Sequence, residues 1–135
     1  MGPGGARNKG SNGERELALL LTGWTAGTTK LTLTRNLEQT RGGGHDLNGL
    51  ESYGMSVEVK RVEVKAINSW WAQAQRQADA LKLLPVLAWR QNRQPWRFRI
   101  RAFVWPCGQP LAVDLEQDEF RKWFLAQLSA CKPPE

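Results

Sequence analysis

SVEVKRVEVK, residues 56–65, carries one tripeptide twice: Glu58-Val59-Lys60 and Glu63-Val64-Lys65. In an extended strand, side chains two apart share a face, so each Glu points the same way as its Lys. The valines decide how the stretch is built. Val57 and Val59 are odd-numbered, whereas Val62 and Val64 are even. One regular strand cannot bury both pairs on one face, because its period is two. A bulge or a strand end must fall near Lys60-Arg61, and the two copies are not equivalent positions of one sheet.

Working outward from this strand, a turn through Asn48-Gly49 and a short strand over 45–47 precede it. Before these, KLTLTR (30–35) alternates Leu with Thr and predicts a strand with one buried face. The intervening QTRGGGHD is a loop. Ser11-Asn12-Gly13-Glu14 fits a capping box, with Leu17, Ala18 and Leu21 at helical spacing, so a first helix is expected over 12–22. On the other side, Ser69 is expected to cap a helix reaching Leu84 with Trp70, Ala74, Ala78 and Leu81 as its buried stripe. PVLAW (85–89) is apolar on both faces, which marks a strand covered on two sides. WRFRIRAFVW (96–105) alternates apolar residues with Arg97, Arg99 and Arg101, an antiparallel strand with one wet face. Asp114 to Gln117 suggests a second capping box before a helix with Phe120, Phe124 and Leu128 inward. The order α-β-β-β-α-β-β-α implies a small α/β domain with a mixed central β-sheet flanked by helices.

The chain has 135 residues, enough for one domain with an ordinary core. Residues 1–10 are Gly-rich and cationic without an apolar run and are expected to form a disordered basic tail rather than a signal peptide; a single domain is expected over 11–130. No apolar run is long enough to span a membrane. Cys107 and Cys131 lack CxxC spacing and neighbouring His, which points to two reduced thiols in a cytoplasmic protein and against zinc. A net charge of +6 and a pI near 9.8 favour a polyanionic partner. With no basic amphipathic helix bearing a long apolar face, nucleic acid is preferred to a membrane surface.

The acidic residues supply the chemistry. Glu14 stands at the start of a helix, Asp46 follows the Gly-rich loop, and Glu58-x-Lys60 lies on a strand. Carboxylates converging on one point repel and are normally reconciled by a divalent cation. Mg²⁺ is satisfied by two or three carboxylates, a backbone carbonyl such as that of Val59, and water. A Lys beside it can serve a water and stabilise an anionic transition state. The bland readings are a capping carboxylate at Glu14, a turn residue at Asp46 and an exposed ion pair at Glu58 and Lys60.

Taken in order, Gly13-Glu14-Arg15-Glu16-Leu17, Gly23-Trp24, Arg35, Gly44-His45-Asp46, Val57-Glu58-Val59-Lys60, Pro85-Val86-Leu87-Ala88-Trp89-Arg90 and Pro95-Trp96-Arg97-Phe98 resemble the archaeal-type Holliday junction resolvases, also phage-encoded. These belong to the PD-(D/E)XK nuclease superfamily, and the resemblance spans roughly residues 10–105. It implies a restriction-endonuclease-like fold and a homodimer with one active site per cleaved strand. Glu14, Asp46 and Glu58 would place Mg²⁺ (Mn²⁺ substituting), and Lys60 would serve the attacking water. The implied substrate is branched DNA, a four-way junction, with no membrane and no small-molecule cofactor. Candidate DNA contacts are Arg15, Arg35, Arg41, Arg61 and Arg90, with Arg35 preferred to Arg41 as counterpart of the family's first-strand Arg. Gln73 is a supporting candidate on the second helix.

His45 departs from the family pattern by standing where Pro is usual, and is assigned as a bystander or DNA contact rather than a catalytic group. The helix after 114 matches no motif. Spacing from Asp46 selects Glu58 and Lys60; Glu63 and Lys65 are left solvated or near DNA. Arg97, Arg99 and Arg101 are either a solvated face or phosphate contacts. Trp70 and Trp71 are assigned to the core or a subunit interface. Two other functions remain open, a restriction, nicking or repair nuclease of the same superfamily and a basic DNA-binding module without catalysis. The intact Glu14, Asp46, Glu58 and Lys60 argue against the latter.

Overall fold

The chain leaves its extended path at Lys60, where the phase of the valines changes. The computed structural model describes residues 3–36, 45–61, 63 and 66–131, with the backbone alone for 3–11. In chain order the elements are α1 (Pro3–Thr25), β1 (Thr34–Arg35), β2 (Leu47–Asn48), a 3-10 turn (Glu51–Tyr53), β3 (Met55–Lys60), α2 (Ile67–Ala80), β4 (Leu84–Trp89), β5 (Arg97–Val104), β6 (Gln109–Glu116) and α3 (Gln117–Ala130). The main sheet has the order β3-β4-β5-β6. β3 and β4 are parallel, Val57 opposite Val86 and Val59 opposite Ala88, while β4-β5 and β5-β6 are antiparallel. A parallel pair needs a crossover, and α2 supplies it.

Helices cover both sides of this sheet, and that explains why β3 and β4 are almost wholly buried. On one face Val57, Val59, Val86, Ala88, Phe98 and Ile100 pack with Leu17 and Leu21 of α1 and Phe120, Phe124 and Leu128 of α3. Phe98 and Phe120 stack with ring centroids 3.9 Å apart, and Trp24 lies against both. On the other face Trp71 and Ala74 of α2 meet Leu87 and Trp89. Glu58 and Lys60 are the register partners of Leu87 and Trp89 and therefore share that second face.

Two glycines set the approach of neighbouring segments. A Cβ on Gly13 of α1 would lie 2.6 Å from the Cβ of Arg61, so only glycine lets α1 close on the end of β3. Gly49 has φ +113° and sits against the Thr32 carbonyl, so it is required twice over in the turn leading to the 3-10 segment.

Several expectations are corrected. α1 begins at Pro3 rather than after a Ser11 cap; proline is tolerated at the first helical position because its missing N–H would have no partner there. Only Thr34-Arg35 of KLTLTR is ladder-paired, with Leu47-Asn48. α2 runs 67–80 without a side-chain cap, burying Trp71 rather than Trp70 and leaving Leu81 half exposed beyond its end. β6 is an additional strand. Asp114 lies within it, opposite Arg99, and the capping box before α3 is formed by Glu116 and Glu119. No helix is long and apolar enough to cross a membrane among the described residues.

Candidate functional site

β3 is an edge strand of the main sheet, and the chain entering β2 lies along its free edge. The Asp46 N–H donates to the Val57 carbonyl (2.8 Å), and the Asp46 Oδ2 accepts from the Val59 N–H (2.6 Å). In a strand, backbone polar groups alternate in direction. Gly54 and Lys60 turn their carbonyls to β4, so the carbonyl of Val59 points off the free edge on the Asp46 side.

Asp46 and Glu58 are both buried (4% and 3% exposed), and their carboxyl groups interact directly. Burial is the largest cause raising Glu58 to about 8, followed by the Asp46 charge, with Lys60 opposing. Burial also raises Asp46, to about 6, against the Val59 N–H and the Lys60 charge; Glu14 adds repulsion. Burial and their mutual repulsion thus hold both carboxyl groups above the ordinary carboxylate range. The Lys60 Nζ stands 3.2 Å from Glu58 Oε1, while the buried Glu58 Oε2 has no partner among the described residues. Such an orphaned acceptor is costly unless something outside the chain satisfies it.

Glu14, also buried, accepts from Arg35 Nε at 2.8 Å. Among the described residues no three His, Cys, Asp or Glu side chains form a ready cation cage. Asp46 and Glu58 form the inner pair, with Glu14 engaged by Arg35. The donor chemistry nonetheless fits a hard divalent cation: two adjacent carboxyls, an unused buried oxygen and an outward carbonyl. Glu14, Asp46, Glu58, Val59 and Lys60 are thus brought to one end of β3. Gln73 precedes Ala74 on α2, the helix that packs on the Leu87 and Trp89 face, and no bond from it to Glu58 or Lys60 is formed among the described residues.

The expected DNA contacts divide. Arg15 is exposed and reaches only Asn12 (3.4 Å) among the described residues. Arg35 is engaged by Glu14. Arg90 bonds Glu16 and the Gln94 carbonyl, and Arg61 lies 4.0 Å from Glu16 and 3.8 Å from Glu63. Arg41 lies outside the described residues, as does Lys65. Arg97, Arg99 and Arg101 are paired with Glu116, Asp114 and Asp79, so this face is a set of ion pairs rather than free cations.

Sequence reasoning missed three roles. Glu16 gathers Arg90, Arg61 and the Trp96 indole N–H, joining α1 to the ends of β3, β4 and β5. Glu63 is not simply solvated: its carboxylate accepts from the Asn92 N–H (3.0 Å), and its carbonyl from Gln91 (2.6 Å). Glu63 of the second copy therefore holds the β4–β5 turn. His45 is buried, and its Nε2 stands 2.6 Å from Glu51 Oε1. Its place next to Asp46 was the only available signal.

A family model described as "Phage putative PDDEXK endonuclease" matches residues 5–105. Among solved structures, that of Hjc, a Holliday junction resolvase from the archaeal hyperthermophile Archaeoglobus fulgidus, superposes with a TM-score of 0.53 at 18% identity. The match covers 84% of this chain and 96% of that one, and so shows a shared fold. None of the curated protein sequences compared with the chain matches it. Because the family model spans well over half the sequence and the mixed sheet with its flanking helices is that of the superposed nuclease, the chain belongs to the phage PDDEXK endonuclease family.

Proposed function

We propose that this endonuclease is a divalent-metal-dependent, structure-selective enzyme that resolves four-way DNA junctions as a homodimer, with Mg²⁺ as its cation and Mn²⁺ able to substitute. The observation that carries the metal reading is the buried Asp46–Glu58 pair with its unpartnered Glu58 Oε2 and Lys60 alongside. Asp46, Glu58 and the Val59 carbonyl would hold the cation, with Glu14 as the outer carboxylate. When bound, the cation supplies positive charge against the developing phosphorane and acidifies a water.

The chain's own groups do the rest. The Val59 N–H fixes one Asp46 oxygen and so aims the other. The Lys60 ammonium, 3.2 Å from Glu58 Oε1, would orient the attacking water and counter charge on the attacked phosphate. Water would attack phosphorus in line with the leaving 3′ oxygen; as the new P–O bond forms the P–O3′ bond breaks, the water gives its proton to solvent and the 3′ oxygen takes one from solvent, leaving 5′-phosphate and 3′-hydroxyl ends. Burial of the carboxyl pair keeps bulk water from screening these charges.

The junction preference rests on the family resemblance, the fold shared with a resolvase and the +6 charge, which favours a partner rich in phosphate. A twofold pair of subunits would present two such sites to symmetric strands. The test is cleavage of a synthetic four-way junction against matched linear duplex, with and without Mg²⁺. Paired, Mg²⁺-dependent nicks confined to the junction are expected. Equal cutting of duplex would replace the resolvase reading with a restriction, nicking or repair nuclease, and binding without cutting would replace it with a DNA-binding module.

A further inference from the structure

His45 stands immediately before Asp46 and is 6% exposed. Its Nε2 lies 2.6 Å from Glu51 Oε1 and 3.3 Å from Asn48 Oδ1, while its Nδ1 is buried without a partner among the described residues. A carboxylate can only accept, so Nε2 carries the hydrogen and the ring is held from one side alone. Glu51 is itself committed twice: its other oxygen accepts the Gly49 N–H at 2.8 Å. The His45 carbonyl accepts from Asn36 Nδ2 (2.9 Å), and the Asp46 carbonyl from the Asn36 N–H (2.9 Å). The segment carrying Asp46 is thus clamped by Asn36 on its backbone and by Glu51 through the imidazole.

We propose, resting on the metal reading of Asp46, that His45 and Glu51 are a positioning pair that holds the Asp46 carboxylate against the Val59 N–H. In the resembled motif this position is usually proline, whose ring fixes φ covalently. A histidine leaves φ free, and here a side-chain bond across the turn supplies the missing constraint. Neither residue touches the reacting atoms. Their effect is transmitted through the 2.6 Å Asp46–Val59 bond, which sets where the second Asp46 oxygen points. Residues that orient metal ligands typically change metal affinity or activity by about 10–100-fold when removed.

The experiment reads that bond directly. In metal-free, isotope-labelled full-length protein, a short N–H to carboxylate bond places the Val59 amide proton downfield and protects it from exchange. His45→Ala and Glu51→Ala are expected to move this signal upfield, speed its exchange, and weaken Mn²⁺ binding by calorimetry about 10–100-fold. His45→Gln can still donate to Glu51 and is expected to retain most of both properties, a rescue that general loosening of the fold would not give. Should His45→Ala not fold, Glu51→Gln carries the test, because it weakens the acceptor without opening a cavity. An unchanged Val59 signal together with wild-type Mn²⁺ affinity in the folded variants would overturn the positioning pair alone. A wild-type protein that binds no Mn²⁺ would overturn the metal reading itself.

Discussion

The two faces of the main sheet divide the labour of the molecule. The face under α1 and α3 is apolar throughout its centre, with Phe98, Phe120 and Phe124 fully enclosed. The face under α2 has a small apolar patch of Trp71, Ala74, Leu87 and Trp89, and beside it charged groups: Glu58 and Lys60 on β3 and three arginines on β5. The first face gains free energy from burial at about 25 cal/mol per Å² of apolar surface. The second gives some of that back by burying carboxyl groups that would rather be solvated. A folded chain can hold such a costly cluster only because its other face is densely packed, a division common at functional sites.

The sharpest way to break the contrast is to change the charged face without touching the packed one. Asp46→Asn is expected to abolish cleavage, a loss of three orders of magnitude or more, on the order of 4 kcal/mol in the barrier. Junction binding should persist or tighten, since one negative charge beside phosphate is removed. Gel-shift and single-turnover assays on the same preparation would show it; loss of binding in a protein that still melts cooperatively would count against Asp46 as a ligand. The converse substitution is Phe98→Ala, which removes a fully buried ring from the aromatic stack and should cost about 3–5 kcal/mol in chemical denaturation. Under native conditions the folded fraction should retain its cleavage rate.

A third test uses pH. Glu58 is raised from its ordinary value to about 8 in the folded protein. Between the unfolded value and the folded one, the native state binds more protons than the unfolded state, so stability falls as pH rises across that window. The metal-free protein should melt progressively lower from about pH 5 to pH 8. Glu58→Gln should flatten that slope and melt higher than wild type at pH 8. Mg²⁺ should stabilise the wild type at pH 8 and do little for the variant. A melting temperature that climbs with pH in the wild type alone would show that Glu58 is not held protonated.

The smallest effect belongs to the arginine row. A double-mutant cycle between Arg99 and Asp114 should give under about 1 kcal/mol, diminishing with salt, because the pair is open to solvent on the Asp114 side. A much larger coupling would make the charged face a stability element after all.

How far the sequence could be read follows the same contrast. β3, β4 and β5 were visible because alternation and the doubly apolar PVLAW announce buried strands. The valine phase located the end of β3 at Lys60. β6 was not visible: QPLAVDLE is largely exposed, has a proline, and is held by backbone pairing to β5 and by ion pairs, with only Val113 and Leu115 packed against the core. Ser69 and Ser11 had the composition of caps, but helix ends are fixed by tertiary packing as much as by caps. At the site, ordered spacing pointed to Glu14, Asp46, Glu58 and Lys60, and the fold places these four near one end of β3. What spacing could not convey was depth. A charged alternating strand reads as solvent-facing, yet α2 covers Glu58. Nor could it show that Glu63 reaches a turn nearly thirty residues away or that His45 finds Glu51 across a tight bend, because both contacts exist only once the chain has closed.

The central claim is that the first Glu-Val-Lys copy is the chemical one and the second is architectural. The direct measurement is single-turnover cleavage of a four-way junction in Mg²⁺ by Glu58→Gln and Glu63→Gln proteins, each shown to be folded. Glu58→Gln should leave no Mg²⁺-dependent cleavage. Glu63→Gln keeps an acceptor for the Asn92 N–H and should cut at close to the wild-type rate. Equal loss in both, or activity surviving in Glu58→Gln while Glu63→Gln is dead, would contradict it.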